Sequence, residues 1–499
     1  MSQHDPMGTA VPGFDPATLR PRGGHFIDGA WQESRAAITV HRPSDHHAYG
    51  EIPDAGAEGV DQAVSSAQEA LRRSDWSTRA PRDRARVMRR WADLVEADAS
   101  RLGPLEAVGS TRPVADAVRW DVPFTAEGIR YFSELADKYG GDVAATQSDH
   151  LGMVIAEPIG VVGAIAPWNF PLVMASWKCA PALAAGNAVV LKPSEMTPFS
   201  TLRLAELAVE AGIPAGIFNV VNGLGQTTGA AIAQHPGIGK VTFTGSTRTG
   251  ATIMSDCARS GPKPVTLELG GKSPQLVFDD AGDLDQVAET VTRAIVTNAG
   301  QVCVAGSRLI VQQGVADALL DRIIARLRRI KAGPTWHADT NFPPIISEPQ
   351  AARIDGIVAR TVGAGATAVI GGQRLGSHGR GAFYEPTVLI DVHPSMEAVR
   401  EEIFGPVLTV QRFAEEEEAF ALANDSRYGL AAGVFTSNLS RSLRALRKLQ
   451  VGTVWINRYG RTSDFAIPTG GYKQSGIGKD LGRQAYEGNL RFKSALFAV

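Results

Sequence analysis

The sequence predicts an α/β protein built on parallel sheets. Between Val161 and Glu268, aliphatic runs such as VVGAIA, NAVVLK and KVTFTG alternate with helical stretches such as TLRLAELAVEAG. Strands that are apolar along their whole length are typical of a parallel sheet with helices on both faces. A second alternating series runs from SPQLVFDD to GTVWIN and predicts a second α/β unit.

Length and charge favour a large, soluble protein. The 499 residues correspond to two or three domains at roughly 150 residues each. With 50 basic and 52 acidic residues, the net charge is -2, which gives no sign of a nucleic-acid or anionic-lipid surface. The longest apolar stretch, 151–168, is broken by Glu157 and Pro158, so no membrane anchor is expected.

The cysteines point to a reducing compartment. Cys179, Cys257 and Cys303 are an odd number and too few for a disulfide framework. The first residues lack a basic region followed by an apolar run. We therefore expect a cytoplasmic protein that begins with a flexible tail over residues 1–24.

The C-terminal stretch NLRFKSALFAV is predicted to be an isolated strand after a glycine-rich segment. A terminal strand needs a sheet edge to pair with, and a partner subunit could supply one. A homo-oligomer is the resulting expectation.

Two glycine-rich stretches are candidate nucleotide sites. NGLGQTTG supplies Gly223, Gly225 and Gly229 after a strand, with one residue more than the usual dinucleotide fingerprint before the third glycine. In FTGSTRTG, Gly245 and Ser246 open a helix whose backbone N–H groups could face a pyrophosphate. Either stretch could instead be a strand-to-helix turn that needs glycine.

The stretch LKPSE places Lys192 at a strand end and Glu195 at the start of a helix. Both are also common as solvated residues at such positions. If a dinucleotide binds here, the Glu195 carboxylate could accept hydrogen bonds from ribose hydroxyls and repel a 2′-phosphate. This predicts NAD rather than NADP.

Cys303 lies in a glycine-flanked turn, NAGQVCVAGSR, whereas the other two cysteines lie in apolar helical contexts typical of inert thiols. A nucleophilic thiol needs a base or a positive environment, and Glu268 at the strand end in TLELGGKSP is a candidate base. Asn169 in APWNFP could donate to an oxyanion or form a turn. Glu402 and Phe404 in REEIFGP could hold a ribose and a flat ring, or cap and pack.

These motifs together resemble one family. PWNFP, LKPSE, FTGS, LELGGKSP, GQVCVAGSR, EEIFGPV, WIN and GGYKQSG occur in the order and spacing of the aldehyde dehydrogenase superfamily, from about residue 25 onward. The resemblance implies that Cys303 attacks the aldehyde and that Asn169 and the Cys303 N–H hold the oxyanion. Hydride then passes to nicotinamide, and Glu268 activates the water that hydrolyses the thioester.

The resemblance also implies an atypical Rossmann-type cofactor domain, an NAD site and no metal. The implied NAD-binding residues are Ile165, Pro167, Trp168, Lys192, Glu195, Gly225, Gly229, Gly245, Ser246, Glu402 and Phe404. The implied domains are NAD-binding (25–135 and 159–268), catalytic (269–478) and a small β oligomerisation element (136–158 and 479–499).

The resemblance implies an aldehyde substrate, and part of the implied pocket departs from the family pattern. Phe170, Trp177 and Trp455 offer aromatic walls, but Thr469 stands where many members have Phe. Asp121 lies where some relatives place acids that attract aminoaldehydes, and the C-terminal third is similar to enzymes for γ-glutamyl-γ-aminobutyraldehyde and other ω-aminoaldehydes. An aminoaldehyde or aliphatic aldehyde is therefore expected.

Three rival functions stay open at this point. An acylating relative would pass the thioester to coenzyme A, although Glu268 argues against it. A binding protein would keep the fold without the chemistry, which the presence of Cys303, Glu268 and Asn169 together disfavours. A thiol hydrolase independent of a cofactor would cleave esters and form no NADH.

Overall fold

The computed structural model describes residues 11–35, 37–376 and 380–499. The helices are α1 Gly56–Arg73, α2 Pro81–Ala97, α3 Ala99–Gly109, α4 Val114–Asp116, α5 Val122–Leu135, α6 Pro171–Ala184, α7 Phe199–Ala211, α8 Ala230–Gln234, α9 Thr247–Arg259, α10 Leu284–Val296, α11 Gln313–Leu327, α12 Glu348–Gly363, α13 Glu397–Arg400, α14 Glu416–Asn424, α15 Leu439–Lys448 and α16 Gly482–Glu487.

The strands are β1 His25–Ile27, β2 Ala30–Gln32, β3 Ile38–His41, β4 Ala48–Ile52, β5 Asp142–Ala144, β6 His150–Pro158, β7 Val161–Ile165, β8 Ala188–Lys192, β9 Phe218–Val220, β10 Lys240–Thr244, β11 Val265–Glu268, β12 Pro274–Val277, β13 Arg308–Gln312, β14 Thr367–Ile370, β15 Thr387–Ile390, β16 Val407–Phe413, β17 Tyr428–Gly429, β18 Ala431–Phe435, β19 Thr453–Ile456, β20 Tyr472–Lys473, β21 Gly476–Ile477 and β22 Leu490–Ala498.

The first large sheet has the order β2-β1-β9-β8-β7-β10-β11-β21. Its five central strands, β9 to β11 in that order, are parallel, and every residue of β7, β8 and β10 is buried. This confirms the predicted parallel sheet, because only strands covered on both faces bury consecutive residues. Ile165 lies opposite Lys192, and Thr244 opposite Glu268, so the candidate residues share the carboxyl edge.

The second large sheet has the order β14-β15-β16-β13-β12-β18-β19 and is parallel except for the β14–β15 pair. Strands β12, β13, β14, β16 and β19 correspond to predicted runs. The sequence analysis did not predict β15, nor β18, which lies between β12 and β19 and reads AAGVF. Alanine and glycine have low strand propensity, so its conformation depends on packing between two neighbours.

The terminal strand β22 pairs with β6 of the same chain along its whole length, from Leu490 opposite Pro158 to Ala498 opposite His150. The prediction of an isolated strand is therefore wrong, because β6 supplies the edge. In the three-stranded sheet β22-β6-β5, β22 is the outer strand, and its other edge has no partner within the described residues.

The C-terminal segment packs onto the first α/β unit, and the N-terminal segment contacts Trp336 in the second. β21 pairs with β11, and Phe465, Leu481 and Tyr486 lie in the hydrophobic core of the first unit. Of the tail predicted over residues 1–24, residues 1–10 lie outside the described part. Phe14 is docked, since its N–H donates to the Trp336 carbonyl (3.2 Å). No described helix combines the length and hydropathy needed to span a bilayer.

Candidate active site

Glu268 is the last residue of β11, and its backbone is fixed on both sides. Its carbonyl accepts from the Gly245 N–H (3.0 Å), and the next residue, Leu269, donates to the Ser475 carbonyl (2.9 Å). The Glu268 side chain is buried, and its Oε1 has no hydrogen-bond partner within the described residues. Burial raises the pKa of this carboxyl to about 8, so it is mostly protonated at neutral pH.

The chain leaves β11 through two glycines that allow close approach. A Cβ at Gly270 would lie 2.3 Å from Glu402 Oε2, and a Cβ at Gly271 would lie 2.4 Å from the Cys303 carbonyl oxygen. The Gly271 N–H donates to Glu402 Oε1 (2.9 Å). Glycine at 271 is thus required for the backbone of Cys303 to approach the end of β11, and glycine at 270 leaves room for the Glu402 carboxylate.

Cys303 follows a strained turn between α10 and β13. Asn298, Ala299 and Gly300 have φ values of 52°, 51° and 72°, a left-handed conformation that costs non-glycine residues free energy. The buried Gln301 side chain fixes this turn: its Nε2 donates to the Asn298 and Pro344 carbonyls (2.9 and 3.1 Å). The thiol is therefore presented by a turn with a fixed conformation.

Asn169 is attached to the same turn. Its Nδ2 donates to the Gln301 carbonyl (3.0 Å), and Asn298 Nδ2 donates to the Asn169 carbonyl (3.0 Å). An amide nitrogen carries two hydrogens, so one holds Asn169 beside the Cys303 turn and the other is available to a ligand.

The thiol of Cys303 is protonated in this state. Burial raises its pKa to about 12, and the charges of Glu268 and Glu402 act in the same direction, while Arg461 and the Val304 N–H lower it. These interactions show that Cys303 and Glu268 are close enough to influence each other. Cys303 is partly exposed, whereas Cys179 and Cys257 are buried.

The candidate cofactor residues lie at the carboxyl edge of the first sheet. The buried Lys192 ammonium donates to the Pro193 carbonyl (2.8 Å) and to Glu195 Oε2 (3.3 Å). Gly229 lies against the Lys192 stem, where an added Cβ would be 3.8 Å from its Cδ, and open space surrounds Gly225. The edge thus offers a cation, a carboxylate and room for a ligand.

The N-terminus of α9 lies at this edge, directly after β10. Ser246 is the N-cap residue, and its Oγ accepts from the Thr249 N–H (3.2 Å). Gly245 precedes it, and an added Cβ there would lie 2.3 Å from the Phe243 ring. The other N–H groups of the first turn, together with the helix dipole, favour an anion at this end.

The loop after β7 contacts the segment that carries Glu402. Ile165 is buried, and Pro167 and Trp168 are partly exposed. The rings of Trp168 and Phe404 meet edge to face, with centroids 5.3 Å apart. Burial raises the pKa of Glu402 to about 7.

An aromatic cluster adjoins this site. We define the aromatic wall as Trp120, Phe124, Phe170, Trp177 and Phe465, whose neighbouring ring centroids lie 4.4 to 6.2 Å apart. Only Phe170 and Trp177 were predicted. Trp120 and Phe124 are four residues apart, a spacing that places both on one face of a helical turn, which is the signal that could have found them.

The remaining pocket candidates are held by contacts within the protein. Thr469 is buried, and its backbone exchanges two hydrogen bonds with Asp480 (2.7 and 3.0 Å). Trp455 packs on Tyr459 with ring centroids 4.7 Å apart. The Tyr459 hydroxyl donates to the carbonyl of Val304, the residue after Cys303 (2.8 Å), so Tyr459 supports the turn that the thiol occupies.

Asp121 does not offer a free carboxylate. Its side chain has no exposed surface and accepts from Arg112 Nε at 2.7 Å. The Arg112 guanidinium in turn lies 4.6 Å from the Phe170 ring centroid. Asp121 Oδ1 has no hydrogen-bond partner within the described residues. The attraction of an aminoaldehyde to Asp121 stays a prediction, and the charge of Arg112 weakens it.

The described residues contain no group of three or more His, Cys, Asp or Glu side chains that could hold a metal ion. Comparison with known proteins identifies the family. The aldehyde dehydrogenase family profile matches residues 31–495. The chain belongs to the aldehyde dehydrogenase family.

Solved structures of this family resemble the chain closely. A P. syringae indole-3-acetaldehyde dehydrogenase in complex with NAD+ shares 40% identity and a TM-score of 0.95, over 97% of this chain and 98% of that one. A γ-glutamyl-γ-aminobutyraldehyde dehydrogenase from Burkholderia cenocepacia shares 42% identity and a TM-score of 0.94 over the same fractions. The predicted fold, family and enzyme class are confirmed, and the predicted cofactor is the one bound in the first relative.

Alkylation tests the electrostatics of the thiol. We expect Glu268→Gln to speed the reaction of Cys303 with iodoacetamide near pH 9 by up to about tenfold, the effect of one pKa unit, because a charge that raises the thiol pKa is removed. Mass spectrometry of the modified peptide measures the rate, and the buried Cys179 and Cys257 are internal references.

Glu289→Gln, on the exposed surface of α10, is the matched control. An unchanged or slower rate in Glu268→Gln would contradict the assignment.

Proposed function

We propose that the protein oxidises an aldehyde to the carboxylic acid with NAD, through a covalent thioester on Cys303. The observation that supports this proposal most directly is the convergence of Cys303, Asn169 and Glu268, which come from three separate elements. Asn169 bonds to the turn that presents Cys303, and the Glu268 charge acts on the thiol.

In the first step, Cys303 loses its thiol proton to solvent, and the thiolate Sγ attacks the carbonyl carbon to give the oxyanion of a thiohemiacetal. The free hydrogen of the Asn169 amide and the Cys303 N–H, which has no acceptor within the described residues, would hold the oxyanion. Losing one such donor typically lowers the rate by about 10²- to 10³-fold. Arg461 and the Val304 N–H stabilise the thiolate form, since both lower the pKa of Cys303.

The carboxyl edge of the first sheet suits a dinucleotide. Ligands of open α/β sheets bind at this edge, where Lys192 and Glu195 would contact a ribose and the first turn of α9 would face the pyrophosphate. Glu402 and Phe404 would hold the nicotinamide end, on the side of Cys303. When bound, NAD supplies the hydride acceptor for the oxidation.

Glu268 would then activate the hydrolytic water. A general base works best with a pKa near the operating pH, and burial places that of Glu268 at about 8. A nearby base for water favours hydrolysis over transfer of the acyl group to coenzyme A. The three free thiols fit the reducing cytoplasm that we propose as the location.

Two variants separate the steps. Cys303→Ala should abolish NADH formation and retain NAD binding by calorimetry. Glu268→Gln should keep a first-turnover burst of NADH and slow the steady state by about 10²- to 10⁴-fold, with loss of the apparent pKa near 8 from its pH profile. Stopped-flow absorbance of NADH measures the burst and the steady-state rate. Cys257→Ala, at a buried cysteine outside the site, is the control, and sustained turnover by Cys303→Ala would refute the mechanism.

We also propose that NAD is preferred over NADP because of Glu195. Its carboxylate is partly exposed beside Lys192, where it would repel a 2′-phosphate. Glu195→Gln should raise kcat/KM with NADP by about tenfold or more, equivalent to roughly 1.4 kcal/mol. The change in kcat/KM with NAD should be smaller. A wild-type preference for NADP would sink this assignment.

We further propose that the sheet β22-β6-β5 joins a second copy of the chain. β22 has one unpaired edge, and it exposes Phe492, Leu496 and Phe497. Leu151, which lies opposite Phe497 on β6, is exposed as well. Exposed apolar side chains on an open sheet edge are typical of an association surface.

Size-exclusion chromatography with light scattering tests this association, because it measures the molar mass of the protein in solution. We expect the wild type to elute as a multimer and Phe497→Lys to shift toward the monomer mass, because a charge would enter the apolar contact. Leu439→Lys, on the exposed face of α15, is the matched control. A monomeric wild type, or an unchanged mass in Phe497→Lys, would contradict the proposal.

A further inference from the structure

Arg461 is a half-buried cation at the edge of the candidate active site, and its guanidinium has no hydrogen-bond acceptor within the described residues. It lies in the loop between β19 and β20, and its guanidinium is 5.6 Å from the centroid of the Trp177 ring in the aromatic wall. Arg461 Nη2 has no exposed surface and no hydrogen-bond partner, and the side chain forms no ion pair within the described residues. Burying a guanidinium without an acceptor costs free energy.

The neighbouring acids do not satisfy this guanidinium. Asp480 is bonded to the Lys178 ammonium at 3.0 Å. Glu268 leaves its Oε1 without a partner and forms no ion pair with Arg461. Both carboxyl groups, and Cys303, still influence the pKa of Arg461, so the guanidinium lies close to the reaction centre.

A second arginine on the aromatic wall provides an internal comparison. Arg112 packs on the Phe170 ring at 4.6 Å, but Asp121 and Asp116 pair with it at 2.7 and 3.4 Å. Arg112 Nη1 also lacks a hydrogen-bond partner, but of these two arginines only Arg461 forms no ion pair with a carboxylate within the described residues. A planar guanidinium matches a carboxylate with two parallel hydrogen bonds.

We propose that Arg461 binds a carboxylate at the far end of the substrate, so that the preferred aldehyde is a short ω-oxo acid whose methylene chain lies along the aromatic wall. This inference rests on the proposed aldehyde oxidation and adds the substrate class. The spacer is taken as short because Arg461 packs on Trp177, in the same aromatic wall as Phe170, which directly follows Asn169 in the chain. An ammonium at the same end of the substrate would be repelled, which disfavours the aminoaldehydes expected from the sequence.

Steady-state kinetics with a matched pair of substrates test the inference. The pair is succinic semialdehyde and its methyl ester, which have the same chain and differ in charge. The wild type should show the higher kcat/KM for the acid. Arg461→Met should lower kcat/KM for the acid by about 10- to 100-fold more than for the ester, the loss typical of a charged hydrogen bond.

Two further variants complete the experiment. Arg461→Lys keeps the charge and should retain part of the preference for the acid. Arg458→Gln removes an exposed arginine of the same loop, which bonds only to the Gly460 carbonyl (3.2 Å), and should leave the ratio unchanged. Thermal melting and NAD binding confirm that each variant is folded.

The outcomes are distinct. An equal loss for acid and ester in Arg461→Met would show that Arg461 acts only through Cys303 and Glu268, and would overturn the inference. A wild-type preference for the ester, or for a cationic aldehyde such as 4-trimethylammoniobutanal, would also overturn it. NADH formation from the ester in the wild type keeps the proposed oxidation in place in each of these cases, whereas no turnover of any aldehyde would refute the oxidation itself.

Discussion

The active site depends on the absence of side chains at Gly270 and Gly271. Here the chain crosses from the first sheet to the second, and the space that a Cβ would need is filled by the Glu402 carboxylate and the Cys303 carbonyl. The end of β11, which carries Glu268, therefore lies against the turn that carries Cys303. A side chain at Gly271 would clash with the Cys303 backbone, and one at Gly270 would displace the Glu402 carboxylate.

The close approach that assembles the site also controls its protons. Burial raises the pKa of Cys303 to about 12 and that of Glu268 to about 8, so the resting site holds a thiol and a largely protonated carboxyl. Lys178, Arg461 and Lys479 lower the pKa of Glu268 against the effect of burial, and Arg461 also lowers that of Cys303. The balance between desolvation and these cations therefore sets how readily Glu268 ionises, and Arg461 contributes to the ionisation of both groups.

The left-handed turn at Asn298 and Ala299 is a second constraint. Such a conformation persists only when surrounding contacts fix it, and here Gln301, Asn169 and the hydroxyl of Thr111, which donates to Asn298 Oδ1 (2.7 Å), supply them. The contacts link two candidate catalytic residues, since Asn169 can hold its position only if the turn that presents Cys303 is formed.

The sequence alone determined the alternating α/β pattern, the parallel first sheet and the family, because strand runs and ordered motifs depend on residues close together in the chain. It also singled out Cys303, Glu268 and Asn169 as candidates. Only the tertiary structure decided that Asp121 is buried in an ion pair with Arg112 and that β22 pairs with β6. It also decided that Arg461 reaches Trp177 with no carboxylate partner among the described residues. These outcomes depend on which charged side chains and strand edges meet across the fold. Such contacts join residues far apart in the chain, so residue type and local periodicity do not predict them.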